Sequence, residues 1–469
     1  MKTIITSSLA ILLLVLSSCG LTKDIVTPVK DVPINFRGTA TTEDASIGSL
    51  PVKEFFSNPA MLNLIDSALL RNFDLQIALK NIDAADLILK RAKLGNIPQL
   101  NLQINASSNR PSDNSLNGLS TSQFLNTSHI EDYNANLSLT WEADIWGKIK
   151  KQKEAAYAGY LQSAEVKKAV QTRIVAEVAS GFYRLLMLDE QLAVAKRNVE
   201  LTDNTLKMIK MQFDAGQVTS LAIQQAEGQQ LRAAQFIPQI TQEISIQENA
   251  LSALTGRFPS AIERAITLEQ LTVPDQLATG VPATMLSIRP DVKNVELGLK
   301  IANAKVGITN ARLYPSLVIA ASGGLNSFQA SNWFNIPASL FGVVGGGITQ
   351  PIFQRKELKT QFELAKVERD QSVLLFRQAV IGAVVEVSNE QAKIVNLKSE
   401  YAIAQNRVKT LQLAVKNSDL LFKSGMANYL EVITAQGNLL QGELDLTTLK
   451  TAQLNASVSL YRALGGGWQ

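Results

Sequence analysis

Cysteine and histidine are almost missing from this sequence, with one of each among 469 residues. They are too few for a zinc site, and a lone Cys has no internal disulfide partner. Phosphate-binding loops are missing too: Gly147-Lys148 lacks an upstream glycine, and Gly345-Gly346-Gly347 falls in a strand pattern. His129 lies in a polar loop, and we assign it no role. The sequence therefore predicts no enzyme, no metal site and no cofactor beyond a covalent lipid.

An excess of one charge is also missing, because 45 Lys and Arg stand against 41 Asp and Glu, for a net charge of +4. Nucleic-acid binding needs clustered positive charge, so no nucleic-acid partner is expected. After the N-terminus, no apolar run approaches the roughly 18 residues of a membrane-spanning helix. If the chain crosses a membrane, strands are expected to do so.

The N-terminus has the features of a signal peptide over residues 1–18: a Lys, an apolar run and then small residues. The order Leu-Ser-Ser before Cys19 resembles the lipobox of bacterial lipoproteins. That resemblance implies cleavage before Cys19 and its modification by palmitate and related acyl chains, which hold a protein firmly on a membrane. An ordinary signal peptide with an incidental Cys is the alternative. Residues 19–59 lack periodicity and predict an extended, lipidated arm.

One structural unit occurs twice along the chain. Asp74 and Pro98 have the same spacing as Asp291 and Pro315, in similar surroundings. Two further similar segments have glycines at matching positions, namely Gly216 with Gly425 and Gly228 with Gly437. Such recurrence is typical of a structural repeat. We predict a first repeat over residues 60–256, a linker over 257–288 and a second repeat over 289–469, each repeat with a helix, two strands and a long helix pair.

Four segments favour strands. The two in the first repeat, from Pro98 and from Tyr133, alternate apolar and polar residues for about 10 to 12 positions, enough to span a bilayer when tilted. The second repeat supplies residues 317–321 and a Gly-rich segment, 341–352. Polar positions carry Asn, Gln and Ser, which suits a water-filled lumen. Trp141 and Trp146 lie at one strand end, where a membrane girdle of aromatic residues is expected.

Helices are predicted on both sides of the strands. One begins at Asn58-Pro59 and ends near Gly95, and two very long ones cover about residues 147–213 and 357–422. At 1.5 Å per residue each long helix is about 100 Å long. Apolar residues recur in steps of three and four, a heptad seam that favours a left-handed coiled coil. The seams are Leu185, Leu188, Leu192, Ala195, Val199, Thr202, Leu206, Ile209 and Phe213, and Ile394, Leu397, Tyr401, Ala404, Val408, Leu411 and Val415.

Four strands per chain cannot close a barrel. An open edge in hydrocarbon leaves backbone N–H and C=O groups unpaired, at a cost of several kcal/mol each. Strands from several chains therefore have to share one barrel: three copies give 12 strands and a wide lumen, and two give 8 strands and a filled one. The long helices of the same copies are expected to form a tube. The predicted fold is an α+β membrane protein with an internal repeat, and the predicted function is a conduit.

Four segments resemble the TolC-type outer-membrane factors, and most of all their lipoprotein branch, the NodT/OprM-like proteins of tripartite efflux systems. The segments are FFSNPAMLNLIDSALLRNFDLQIALKNIDAA, WEADIWGKIK, RPDVKNVELGLKIANAKVGITNARLYPSL and the closing SLYRALGGGW. The resemblance covers almost the whole mature chain. One departure is Asn72-Phe73-Asp74, where the family usually has Pro in the middle, so a helix start is expected to differ there.

The resemblance implies a homotrimer with a 12-stranded β-barrel, four strands per chain, in the bacterial outer membrane. It implies that this barrel is continuous with a periplasmic α-helical coiled-coil barrel. It also implies passive export of solutes delivered by an inner-membrane pump, of the RND type, through a periplasmic adaptor.

Individual residues match the family's functional positions. The turns Ala215-Gly216-Gln217 and Ser424-Gly425-Met426 match its adaptor-docking turns, although tight helix ends favour glycine in any protein. Glu431 occupies one position of an acidic ring that narrows the channel entrance in many members. Thr434 stands where a second acid is frequent. The resemblance thus implies two docking turns and one gate residue.

A second function remains open: a lipid-anchored coiled-coil scaffold or adhesin without pore activity. A soluble sheet with one buried face shows the same alternation as a membrane strand. Such a protein is expected to give no conductance in a bilayer. The sequence does not identify the cargo, the pump or the resting state of the channel.

Overall fold

The computed structural model describes residues 23–26, 33, 35–37, 46–273 and 277–469. The predicted signal peptide and Cys19 lie outside the described residues. The chain divides into two compact units. Among the described residues, the sheet unit contains 23–26, Ala84–Leu161 and Leu297–Leu374, and the helical unit contains 33, 35–37, 46–83, 162–273, 277–296 and Leu375–Gln469. Each unit draws on both predicted repeats, and the division by repeats stays a prediction.

The sheet has four antiparallel strands, hydrogen-bonded in the order β1-β2-β3-β4. They are β1 Gln99–Asn109, β2 Ile130–Ala143, β3 Ser316–Ser327 and β4 Leu340–Thr349. All four predicted strands are present. β3 is longer than the expected 317–321, because its pairing with both neighbours continues through Gly323 and Gly324 to Leu325.

Ten α-helices occur in the described part of the chain. They are α1 Val52–Phe55, α2 Pro59–Arg71, α3 Phe73–Lys93, α4 Leu116–Phe124, α5 Lys148–Asp214, α6 Ser220–Leu254, α7 Pro282–Ile288, α8 Pro290–Ala311, α9 Glu357–Lys423 and α10 Tyr429–Ala463. The two long helices α5 and α9 have 67 residues each, and their bounds match the prediction to within one residue. The helices that follow their turns, α6 and α10, have 35 residues each.

The prediction of one helix from Asn58 to near Gly95 was wrong, because Asn72 separates α2 from α3. Its backbone is extended, with φ −62° and ψ 130°. The Asn72 Oδ1 accepts hydrogen bonds from the N–H groups of Asp74 (2.9 Å) and Leu75 (3.3 Å) and so caps α3. In the second repeat Pro290 opens α8 at the matching point. Apolar periodicity continues across Asn72, so the pattern gave no sign of the break.

The heptad seam of α5 is buried over most of its length. Leu185, Leu188, Ala195, Thr202 and Ile209 are at most 2% exposed. The N-terminal part of this seam, from Leu185 to Ala195, packs against Ile240, Ile244 and Leu251 of α6. Phe213, the last predicted seam residue, is 41% exposed, so the seam ends before the turn.

The predicted linker 257–288 is more structured than expected, because it contains α7 and an ion-pair cluster. Arg264 lies 2.6 Å from the carboxylate of Asp189 and 2.5 Å from that of Glu248. Burial raises the pKa of Asp189, and the charge of Arg264 only partly offsets this. Leu268 is 3% exposed and belongs to the main core of the helical unit.

One described helix, α9, has the length and apolar composition to cross a membrane, whereas the sequence analysis expected none after the N-terminus. The expectation was based on unbroken apolar runs. It did not include α9, because charged residues interrupt the apolar part of this helix. Phe376, Ala383 and Val387 of that part are buried in the core of the helical unit. This face of α9 therefore packs against protein.

Candidate channel and docking surfaces

Strand register gives the sheet one apolar and one mainly polar face. Side chains directly opposite each other in an antiparallel pair share a face, and Leu102 lies opposite Leu137, as Gln103 lies opposite Asn136. The apolar face carries aliphatic side chains from all four strands: Leu100, Leu102, Ile104, Leu139, Leu137, Ala135, Ala321, Leu325, Val344 and Leu340. The other face carries amides and hydroxyls from the first three strands: Asn101, Gln103, Asn105, Ser138, Asn136, Asn134, Ser322 and Asn326. β3 and β4 depart from this rule, with Val318, Ala320, Phe341 and Val343 on the polar face. The sheet can thus face lipid on one side and water on the other.

Both edges of the sheet are open within the described part of one chain. β1 and β4 each pair with a single neighbour, and every residue of β1 is exposed. An edge strand presents unpaired N–H and C=O groups that bind another strand readily. The chain therefore offers two edges to neighbouring strands.

Aromatic residues cluster at both ends of the sheet. At the end where α5 begins, Trp146 stacks on Tyr314 with ring centroids 4.9 Å apart, and the indole N–H of Trp141 donates to the Asn96 carbonyl (2.9 Å). At the other end, Tyr133 lies 5.4 Å from Trp333. The sequence analysis missed this second cluster, because Trp333 lies in the loop between β3 and β4 and becomes its neighbour only through the β2–β3 pairing.

The spacing of the two clusters matches a membrane. Tyr133 and Trp141 are about 26 Å apart along β2 at roughly 3.3 Å per residue. The apolar band of an outer-membrane barrel is about 25 Å tall, with aromatic girdles on both sides. The girdle role of Trp141 and Trp146 stays a prediction with which this geometry agrees.

The two predicted docking turns have the same backbone geometry. Gly216 and Gly425 have left-handed φ values of +70° and +73°. The N–H of Gln217 donates to the Gln212 carbonyl (2.9 Å), and that of Met426 donates to the Leu421 carbonyl (2.9 Å). These bonds span five residues and, with a left-handed glycine before the donor, form Schellman helix ends. All six turn residues, Ala215, Gly216, Gln217, Ser424, Gly425 and Met426, are exposed.

A shared apolar cluster joins the two turns. It contains Leu206 and Ile209 of α5, Ala222 and Ala226 of α6, Phe422 of α9 and Val432 of α10. Because residues from all four helices take part, the two helix ends form one surface. The fold therefore presents both turns together.

The candidate gate residue Glu431 lies in the first turn of α10 and is exposed. Asn428 caps this helix: its Oδ1 accepts hydrogen bonds from the N–H groups of Leu430 (2.9 Å) and Glu431 (3.2 Å). The cap fixes the backbone that carries the carboxylate. The sequence analysis missed Asn428, although Asn two or three residues before an acid is a usual sign of a helix start.

An open-edged sheet with one polar face, joined to two 67-residue helices, is the architecture of an outer-membrane β-barrel channel with a helical extension. Known structures share this fold. A crystal structure of a membrane protein from Pseudomonas aeruginosa is 26% identical, covers 96% of this chain and 98% of its own, and has a TM-score of 0.86.

The chain belongs to the outer membrane efflux protein family, whose model matches residues 64–257 and 281–466. It is similar to the cation efflux system protein CusC of Escherichia coli O6:H1, with 26% identity over 461 residues, or 97% of each chain. It is also similar to SilC of Salmonella typhimurium, described as a probable outer membrane lipoprotein, with 27% identity over 417 residues, or 89% of this chain and 88% of that protein. The chain is an outer-membrane efflux channel, as its sequence indicated, and these relatives are efflux components rather than enzymes.

Proposed function

We propose that three copies of the chain form one 12-stranded barrel that serves as a passive conduit across the bacterial outer membrane. The open-edged sheet with a polar face carries this proposal, because its edges need partners and three copies leave a water-filled lumen. Apolar residues on α9 also fit a surface covered by a neighbouring copy: Leu374, Leu375 and Ile381 are 63%, 55% and 64% exposed in one chain. The helices are then periplasmic, and acyl chains on Cys19 anchor the chain to the membrane.

The partners we propose are a periplasmic adaptor that binds the two turns and an inner-membrane pump of the RND type. The middle of the polar face carries neutral amides and hydroxyls, with the carboxylates of Asp132 and Glu142 only near the two ends of β2, and neutral groups favour little discrimination among solutes. Selectivity therefore resides in the pump. A clear cargo preference of the purified channel alone would contradict this.

Planar-bilayer recording together with a subunit count tests the channel itself. We expect stable conductance from the purified full-length protein and a mass of three subunits by native mass spectrometry. A folded, water-soluble monomer, obtained once the acyl anchor is removed, would contradict the proposal. It would favour the scaffold function instead.

The docking proposal predicts that Gly216→Val with Gly425→Val abolishes export while conductance persists. Nothing lies within 4 Å of a Cβ at either site, so the cost is backbone strain, about 1–2 kcal/mol per left-handed residue. That strain reshapes the exposed turns rather than the barrel. Export in cells and copurification of the adaptor measure the effect.

The matched control for the turn variants is Gly228→Ala on α6, where φ is not left-handed and nothing lies within 4 Å of the new Cβ. Alanine at this helical position is expected to preserve export. If the turn variants copurify as much adaptor as the wild type, the docking assignment fails.

The gate proposal predicts that Glu431→Gln lowers the preference for cations in bilayer recordings. Three carboxylates in one ring attract cations, and removing them removes that attraction. Glu227→Gln changes the net charge equally on an exposed part of α6 and is expected to keep the wild-type reversal potential. Equal reversal potentials for wild type and Glu431→Gln would remove Glu431 from the gate.

A further inference from the structure

A cavity of about 240 Å³ lies in the sheet unit where β2 and β4 end and α5 and α9 begin. Trp146, Tyr314, Lys148, Arg312 and Gln354 are among its lining residues. Its position is the helix-bearing end of the sheet, beside one aromatic cluster. The cavity thus lies at the depth where a lipid headgroup would meet the protein.

The aromatic wall of the cavity is held in place. Trp146 stacks on Tyr314 at an interplanar angle of 30°, and its indole N–H donates to the Pro315 carbonyl (2.6 Å). Both side chains combine an apolar ring with a polar group, the combination found at membrane interfaces. This wall suits the glycerol region of a lipid.

Residues 352–356, which we call the basic interfacial segment, form the last part of the connection between β4 and α9. Ile352 and Phe353 are 94% and 87% exposed. Arg355 and Lys356 follow and are exposed, with left-handed φ values of +49° and +64°. Within the described part of the chain, neither basic side chain has an ion-pair partner. The segment therefore presents two apolar side chains next to two free cations.

The carboxylates around the cavity already have partners. Glu142 binds Lys148. Asp144 accepts hydrogen bonds from the N–H groups of Ile149 (2.9 Å) and Lys150 (2.8 Å). Glu357, the first residue of α9, accepts one from the Gln361 amide (3.1 Å).

Three cations can therefore still bind an anion at this site. Arg312 makes only a long contact of 3.4 Å with the neutral amide of Gln361, and Arg355 and Lys356 have no ion-pair partner among the described residues. Arg355 and Lys356 directly follow Gln354, a lining residue of the cavity. Together with Arg312 they exceed by one the carboxylates of Asp144 and Glu357, which keep their charge because their hydrogen-bond donors are neutral, so the site has a net positive charge.

We propose that the basic interfacial segment and this cavity bind the phosphate headgroup of an anionic membrane lipid. Cations beside a bilayer attract anionic headgroups, and Ile352 and Phe353 add apolar contact that a free phosphate ion cannot use. The inference rests on the proposed function in one respect, namely that the sheet lies in the membrane. The channel thereby gains a lipid-specific contact at the periplasmic leaflet.

The test titrates the detergent-solubilised full-length protein with short-chain phosphatidylglycerol or with phosphatidylcholine of equal acyl length, and counts bound lipid by native mass spectrometry. We expect tighter binding of phosphatidylglycerol. Arg355→Gln with Lys356→Gln should weaken it about 30-fold, since each cation near an anionic lipid contributes about 1 kcal/mol and 1.4 kcal/mol is tenfold. Arg355→Gly with Lys356→Gly should act alike, because glycine accepts the left-handed backbone.

Lys409→Gln with Lys416→Gln removes equal charge from exposed positions on α9 and is expected to leave lipid binding unchanged. Equal phosphatidylglycerol affinity of wild type and segment variants would overturn the proposal. So would inorganic phosphate that competes as effectively as the lipid, which would indicate a site for free anions. Conductance is recorded on the same preparations and should persist in the segment variants. If the wild type itself gives no conductance, the proposed channel function fails, and the lipid-binding result is judged separately.

Discussion

Leu102→Arg is expected to prevent assembly of the channel in the membrane, whereas the adjacent Gln103→Arg is expected to leave assembly intact. Leu102 is 65% exposed on the apolar face. Its register partner Leu137 lies midway between Tyr133 and Trp141, so Leu102 is placed near the bilayer midplane. Arg on the lipid face of a barrel costs about 2–4 kcal/mol at that depth. The cost recurs in each chain of the oligomer.

Gln103→Arg adds the same side chain one residue away, on the face opposite to Leu102. In the lumen its charge stays hydrated, so the barrel is expected to assemble and to conduct anions better than the wild type. Outer-membrane fractionation and native mass spectrometry measure assembly, and the reversal potential measures selectivity. Equal loss of assembly in both variants would show that the sheet does not separate lipid from water.

Arg289→Met is expected to destabilise the helical unit by about 2–4 kcal/mol. The Arg289 side chain is 8% exposed and donates to the carboxylates of Asp291 (2.6 Å) and Glu386 (2.7 Å) and to the Ala463 carbonyl (2.6 Å). Methionine fills similar volume but removes these donors; Glu386 then keeps its contact with Arg462, and Asp291 keeps the N–H of Val292. Breaking a buried ion pair costs about 3–5 kcal/mol, and we lower that range because the Asp291 side chain is half-exposed and screened by solvent.

The urea midpoint of the purified protein measures this effect. Arg462→Gln is the control, since Arg462 contacts the same Glu386 at 2.5 Å but is 45% exposed. Its loss is expected to cost less than about 1 kcal/mol. Equal midpoints for Arg289→Met and Arg462→Gln would contradict a special role for the buried guanidinium.

The Arg289→Met penalty should also depend on pH. Burial by itself raises the pKa of Asp291, but the hydrogen bond and charge of Arg289 outweigh it and lower the pKa below the usual 3.8. Stability from a carboxyl with a lowered pKa is present above its unfolded value and is lost as pH falls through the folded value. The difference between wild type and variant should therefore be full at pH 7 and smaller at pH 3. An equal difference at both pH values would contradict this linkage.

Local patterns predicted the strands and long helices well. The alternation through Tyr133 and the heptad steps from Leu185 are patterns among residues close together in the sequence. Periodicity alone therefore located β2 and α5. Features that join distant residues were missed: Arg289 meets Glu386, 97 residues away, and no local signal marks that contact. The break at Asn72 is a different case: the family resemblance pointed to a helix start there, but the periodicity did not, since the apolar pattern continues unbroken across Asn72.

The candidate sites divide in the same way. Gly216 and Gly425 were predicted, because left-handed helix ends favour glycine and the repeat displays both. Arg355 and Lys356 adopt left-handed φ values without the glycine that would have marked them. The cavity beside them is formed by the ends of β2 and β4 and the starts of α5 and α9. These are far apart in the sequence, so the cavity could not be predicted from local patterns.

The near-identity of the two turns has a consequence for binding stoichiometry. Their backbones match, but one presents Ala215 and Gln217 where the other presents Ser424 and Met426. Around the axis of the proposed trimer, two kinds of position then alternate. An adaptor with a single kind of contact surface would fill the higher-affinity set first, so its titration curve should show two steps rather than one.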